Sequence, residues 1–240
     1  MELLRSITGR VLIEGHRGAE GVAVENTRQA IEAGYAAAAD LLELDVQRTV
    51  DGELVIYHSY QLPDGRWVRE LKGSELRAVT YKGHALLFLE EVLEWVRHKT
   101  IGLSLDIKNG FGFDSKAFLD TLSCVETHNL VDKVMLIGWD HAGLLLCKKH
   151  NPEIKTRALI RGRPVDIVQM AQNARVDAIG MDADMITRAD VDALHHAGIA
   201  VVTAEIVNPD FSRAVKVGAD VVCCKNPGAA HAAISALHLD

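Results

Sequence analysis

At 240 residues, 48% of them hydrophobic, the chain has the apolar content for one sizeable core, and α/β barrels of this length are commonly a single domain. A net charge of −7, with no basic run, argues against a nucleic-acid surface. No apolar run reaches the ~18 residues of a membrane span, and residues 1–10, MELLRSITGR, lack the basic-then-apolar order of a secretory signal. The expectation is a cytoplasmic protein without stable membrane insertion. Its four cysteines read as reduced: Cys223 and Cys224 lie in an apolar run, Cys124 and Cys147 in helix patterns, and none shows metal-type spacing.

In chain order, VLIEG (11–15) reads as a first strand, and NTRQAIEAGYAAAA (26–39) as a helix with Asn26 or Thr27 as its N-cap. LLELDV (41–46) is the second strand. VDGELVIYH (50–58) then turns through Asp51-Gly52 as a hairpin-like extension. Residues 59–85 read as a long loop, a small insertion with one helical piece near SELRAV. FLEEVLEWVRH (88–98) is helical. Six further strands follow: IGLSLDI, KVMLIGW, KTRALI, DAIGMD, IAVVTAE and DVVCC. Helix patterns separate them, with Pro164 expected in the first turn of one and Thr187 as the cap of another, and GAAHAAISALHL closes the chain. Strands that are apolar nearly throughout need cover on both faces, as in a parallel sheet. Eight such units in one domain, 1–240, predict a (β/α)₈ TIM barrel with a short insertion after the second strand, on the C-terminal face where barrel active sites lie.

Ionisable residues gather at the predicted strand ends. Glu43 and Asp45, two apart, project to one side of a strand. Two such acids repel each other unless a cation lies between them or one is protonated. A hard divalent ion, Mg²⁺ or Ca²⁺, takes oxygen ligands of this kind; the competing reading is a pair of acids neutralised by nearby Arg or Lys. Asp106 and Lys108 repeat the pattern on the next regular strand, and Lys108 is either a partner for Asp106 or a point charge for an anionic substrate. Among eleven histidines, His16 and His58 differ from the rest in closing strand pieces beside these acids. They suit an acid and base pair flanking a phosphorus. Arg17 offers a guanidinium fork for phosphate oxygens, and Gly18 would let backbone approach a ligand. Glu25 and Asn26 stand at the same rim, as helix-start residues or as contacts to a cation or its waters.

Taken together, His16-Arg17-Gly18, Glu25-Asn26-Thr27, Glu43-Leu44-Asp45-Val46, Thr49 with Asp51-Gly52, and His58 resemble the glycerophosphodiester phosphodiesterase family. The likeness continues more weakly through LSLDIK to the C-terminal Asn-Pro pairs. It implies a divalent cation held by Glu43, Asp45 and Asp106, His16 and His58 as acid and base, and Arg17 and Lys108 on phosphate. The implied reaction cleaves a glycerophosphodiester to sn-glycerol 3-phosphate and an alcohol. The substrate would be a small molecule, with a homodimer left open as the assembly.

Four departures from the family pattern stand out. Val24 replaces a proline, Ser59 an aspartate, and Asp106 a glutamate. Glu205-Ile206-Val207-Asn208 and Cys224-Lys225-Asn226-Pro227 replace two C-terminal motifs. Glu205, in place of an aromatic wall, would face Lys225 across the rim and points to a different alcohol head. The competing readings are a lysophospholipase D-like or sugar-phosphate diester hydrolase, a non-catalytic phosphate-binding barrel, and a barrel enzyme that abstracts a proton beside a carboxylate.

Overall fold

The apolar runs form eight strands: β1 (Leu12–Gly15), β2 (Leu41–Arg48), β3 (Gly102–Ile107), β4 (Val134–Gly138), β5 (Lys155–Leu159), β6 (Ala178–Met181), β7 (Ala200–Glu205) and β8 (Val221–Cys224). They are seen in a computed structural model that describes residues 1–108, 115–206 and 209–237, without the side chain of Glu205. Each strand pairs in parallel with the next, and β8 pairs back onto β1 with Leu12 opposite Val221, so the sheet closes on itself. Closure leaves the barrel no free edge, and helices between strands cover its outside. This is a (β/α)₈ TIM barrel.

Alternation along each strand divides the core in two. Leu12, Leu41, Met135, Ile137, Ala178, Ala200, Val202, Val221 and Cys223 pack together inside the barrel. Their neighbours Leu42, Leu44, Leu103, Leu105, Leu136, Ile179 and Val201 pack outward against helix residues such as Val92, Phe118 and Leu144. Both faces are buried, which is why the strands are mostly apolar; polar exceptions such as Glu14, Glu43, Asp45, Gln47, Ser104 and Asp106 are themselves buried. The N-terminal segment closes the bottom: Leu3 joins the interior cluster, and the Arg5 amide donates to buried Asp220 at 2.6 Å.

The insertion has a geometric cause. β2 is eight residues long and β1 only four. β1 covers the first part of the β2 edge, and the overhang Val46–Arg48 pairs instead, antiparallel, with a strand at Leu54–Ile56. That strand pairs onward with Leu87–Phe88. Between them lie a 3₁₀ turn (Val68–Glu70), a helical turn (Gly73–Leu76) and a small hairpin (Thr80–Tyr81 with His84–Ala85). The stretch read as mostly loop therefore carries more structure than its pattern signals. It has a core of its own, in which Val55, Tyr57, Leu62, Val68, Leu71, Leu76, Leu86 and Phe88 are buried.

Local signals hold at some places and shift at others. Thr27 caps the helix Arg28–Ala36, accepting from the Ala30 amide at 3.3 Å, and Thr187 caps Arg188–His196. Pro164 is not in a first turn: that helix begins at Ile167, capped by Asp166, which accepts from Gln169 N at 2.8 Å. All four cysteines are free. Burial pushes the Cys124 thiol up to about 11 and that of Cys147 to about 12, so neither is a nucleophile at neutral pH.

Candidate active site

Register builds the acidic centre. Asp45 on β2 is paired with Asp106 on β3, and Glu43 with Ser104. All three acids lie on the inward alternation and are nearly inaccessible, at 4% for Glu43, 1% for Asp45 and 5% for Asp106. One carboxylate oxygen from each lies within 4.8 Å of the others. Burial pushes the Glu43 carboxyl up to about 8, and the charge of Asp45 adds to the effect. Burial also raises Asp106, against the pull of Lys108. For Asp45 burial acts in the same sense, but Lys108 and Arg17 outweigh it and its carboxyl is held low. The Lys108 ammonium lies 2.9 Å from Asp45 Oδ1 and bonds Asp106 as well. Asp106 Oδ1 is buried without a hydrogen-bond partner among the described residues. An all-oxygen donor set with surplus negative charge and one unanswered carboxylate oxygen fits a hard divalent cation.

The loop after β1 places the next groups. Arg17 and Asn26 both adopt left-handed backbone, at φ 50° and 58°, which costs on the order of 1 kcal/mol for each non-glycine residue. The Arg17 amide thereby donates to Glu43 Oε2 at 2.8 Å, and the Asn26 amide to Arg17 O at 3.0 Å. The Asn26 side chain donates to Asp45 Oδ2 at 2.7 Å and accepts from the Asp45 amide at 3.2 Å. Asn26 is thus tied to the acid centre, and Thr27 is the cap. The Arg17 guanidinium bonds Glu25 and lies 3.3 Å from Asp45 Oδ2. Glu25 also accepts from Tyr81 Oη at 2.8 Å, joining the insertion hairpin to the rim. Gly18 serves packing rather than a ligand. At φ 88°, a Cβ there would stand 2.7 Å from the Ala30 carbonyl carbon.

His16 follows the inward alternation of Leu12 and Glu14. Its Nδ1 is 2.8 Å from Glu20 Oε1, and its Nε2 is 3.8 Å from Glu43 Oε2. Burial is the largest single influence on this ring and lowers its pKa. The Glu20 hydrogen bond and the charges of Glu43 and Glu20 together outweigh it, so the net shift is upward. His58 comes from the insertion. The Tyr57 amide donates to Asp45 O at 3.0 Å, which carries the next residue to the mouth. The buried Gln47 amide then clamps the backbone on both sides of His58, donating to Tyr57 O and Ser59 O, each at 2.7 Å. Burial lowers His58, and Asp45 opposes it; Arg17, Lys108 and Glu25 also act on the ring.

The structure brings His16, Arg17, Glu25, Asn26, Glu43, Asp45, Asp106 and Lys108 into direct contact with one another, and sets His58 within their field. The Glu205 side chain and Asn208 lie outside the described residues. Lys225, expected to face Glu205, has its ammonium 3.5 Å from Glu20 Oε1. Three supporting groups escape the sequence reading, Tyr81 of the insertion hairpin among them. Glu20 lies four residues beyond His16 in a loop without helical periodicity, yet the loop turns enough for the Glu20 amide to reach His16 O at 3.3 Å. Gln47 looks like one more polar residue at a strand end, and only the fold-back of residues 54–58 gives its amide two carbonyls.

Residues 16–229 match the glycerophosphoryl diester phosphodiesterase family. An uncharacterized protein of Bacillus subtilis (strain 168), YqiK, is 29% identical over 231 residues, covering 87% of this chain and 92% of its own. A glycerophosphodiester phosphodiesterase of Caldanaerobacter subterraneus subsp. tengcongensis is 24% identical over 235 residues, 91% of this chain and 95% of that one. Among solved structures, an Oleispira antarctica phosphodiesterase in complex with the product sn-glycerol-3-phosphate superposes with a TM-score of 0.84. It is 21% identical and covers 96% of this chain and 99% of that one.

Proposed function

The chain belongs to the glycerophosphoryl diester phosphodiesterase family, and on that premise we propose that it hydrolyses glycerophosphodiesters to sn-glycerol 3-phosphate and an alcohol, using a divalent cation and two histidines. One observation carries the reading: a buried carboxylate trio, two imidazoles and two cationic side chains share one barrel mouth. Glu43, Asp45 and Asp106 would hold Mg²⁺ or Ca²⁺, which supplies charge neutralisation at phosphate and a lowered pKa for a bound hydroxyl or water. The product complex of the Oleispira enzyme supports the glycerol phosphate end of the substrate.

The remaining steps fall to the chain's own residues. Glu20 accepts from His16 Nδ1–H, which fixes the tautomer and leaves Nε2, the nitrogen facing Glu43, to exchange the proton. His58, held neutral more readily by burial, shares the acid and base work with it across the phosphorus. Arg17 and Lys108 are pre-positioned by Glu25, Asp45 and Asp106 and offer N–H donors to phosphate oxygens. A small soluble diester fits better than a lysophospholipid. The insertion's aliphatic side chains, from Leu62 to Leu86, are used in their own core, and Trp67 stacks on Arg69. Those side chains are therefore not free to line a groove for an acyl chain.

The test is turnover on a panel of glycerophosphocholine, glycerophosphoethanolamine, glycerophosphoinositol and lysophosphatidylcholine with Mg²⁺, Ca²⁺ or Mn²⁺. His16→Ala and His58→Ala should each lower kcat by at least ~10²-fold. A near-wild-type rate in either variant removes that ring from the mechanism, and no turnover on any diester with any cation leaves a binding barrel as the better description.

A further inference from the structure

Below the acid trio the barrel interior holds a second charged group with no part in the mechanism above. Glu14 on β1 is fully buried and lies two residues before His16 on the same inward alternation. Its Oε2 accepts from Arg157 Nη1 on β5 at 2.9 Å, and its Oε1 accepts from Ser104 Oγ on β3. Ser104 is the register partner of Glu43 and stands two residues before Asp106. The group therefore forms the layer directly under the trio, reaching across the barrel from β1 to β5. Gly180 on β6 leaves the space: a Cβ there would come within 3.3 Å of Arg157 Cδ and 2.9 Å of Leu159 Cδ2.

A stability role accounts poorly for this arrangement. Arg157 is 2% exposed, and its Nε has no hydrogen-bond partner among the described residues. Buried ion pairs are often no more stabilising than apolar groups of the same size, and Ala178, Val202, Val221 and Cys223 fill the same interior with apolar groups. The charge itself has an evident use. Without the guanidinium, four buried inward carboxylates would share the barrel interior with no counter-charge on Glu14, and a hard divalent ion gathers carboxylate oxygens wherever they converge. Glu14 would draw the ion a layer deeper, away from the histidines at the mouth.

We propose that Arg157 is a positioning residue that occupies Glu14 and thereby confines the divalent cation to the Glu43–Asp45–Asp106 layer. The proposal rests on the cation reading given above. It predicts that affinity and turnover move in opposite directions, which loss of a purely structural contact would not produce. In calorimetric titration of the metal-stripped full-length protein with Mn²⁺, Arg157→Met should bind about tenfold more tightly, because an unpaired buried carboxylate joins the site. Its kcat at saturating metal should fall at least ~10-fold, because the ion sits too deep. Glu14→Gln should shift Mn²⁺ affinity the other way, weakening it about threefold or more, because the guanidinium is left without its counter-charge. The double variant should return both quantities to within about threefold of wild type.

Weaker or unchanged Mn²⁺ binding in Arg157→Met, or a shift of the same sign in Glu14→Gln, overturns the proposal. If Arg157→Met does not fold, Glu14→Gln and Arg157→Lys decide. The lysine variant keeps the charge and should stay within about threefold of wild type, and an unchanged affinity in Glu14→Gln then counts against the idea. A wild-type protein that binds Mn²⁺ but cleaves no diester would defeat the phosphodiesterase reading while leaving these affinity shifts measurable.

Discussion

At the scale of single residues, the site depends on side chains that hold its other members in place. Gln47 is 3% exposed, and its amide fixes the backbone on both sides of His58. Gln47→Leu should therefore lower kcat about tenfold through misplacement of the ring and leave Mn²⁺ affinity unchanged; a loss of both would mean that the whole mouth has collapsed. Glu25 permits a separate test by pH. Burial acts to raise its carboxyl, but hydrogen bonds from Arg17 and Tyr81 prevail and hold it below the ordinary value of 4.5. A lowered folded-state pKa contributes stability above the unfolded-state value and loses it as pH falls through the folded-state value. The Tm difference between wild type and Glu25→Gln should accordingly be constant near neutrality and shrink as pH falls below 4.5. A difference that stays constant down to pH 3, followed by calorimetry, would remove Glu25 from the account. His16 and the three acids were legible because strand alternation brings them to one end of adjacent strands, whereas Arg17 is placed by the left-handed turn that follows β1. Glu20, Gln47 and Tyr81 were not legible, because their roles arise from loop and hairpin geometry that no local pattern encodes.

At the scale of elements, the length mismatch between β1 and β2 does most to assemble the site. The β2 overhang recruits the strand at 54–56, and that strand carries His58 to the side of the mouth where β1 delivers His16. The barrel strands could be read almost residue for residue, since double-sided burial leaves long apolar runs. Residues 59–85 could not, because two-residue strands such as Thr80–Tyr81 and His84–Ala85 are too short to show a period. The same limit explains Pro164, which satisfies the rule for a first turn yet lies upstream of the capping Asp166. The loop between β1 and its helix is held by close backbone approach at Gly18. Gly18→Ala should destabilise the fold by about 2–4 kcal/mol, through both the left-handed φ and the clash with the Ala30 backbone. Wild-type unfolding in urea for that variant would show that the helix can retreat without cost.

At the scale of the whole molecule, the buried charge among the described residues lies, Asp220 at the bottom apart, in two layers beneath one mouth. No helix among the described residues is long and apolar enough to cross a membrane. The molecule's formal charge of −7 is spread along the sequence, whereas the buried acids converge, and that convergence is what calls for a cation. The most direct measurement is hydrolysis of glycerophosphocholine by EDTA-treated protein before and after Mg²⁺, Ca²⁺ or Mn²⁺ is restored, in wild type and in Glu43→Gln. The account predicts no turnover in the stripped protein, recovery on addition of one of these ions, and at least ~10²-fold less recovery in the variant. Full turnover in the presence of EDTA, or equal recovery in Glu43→Gln, would contradict it.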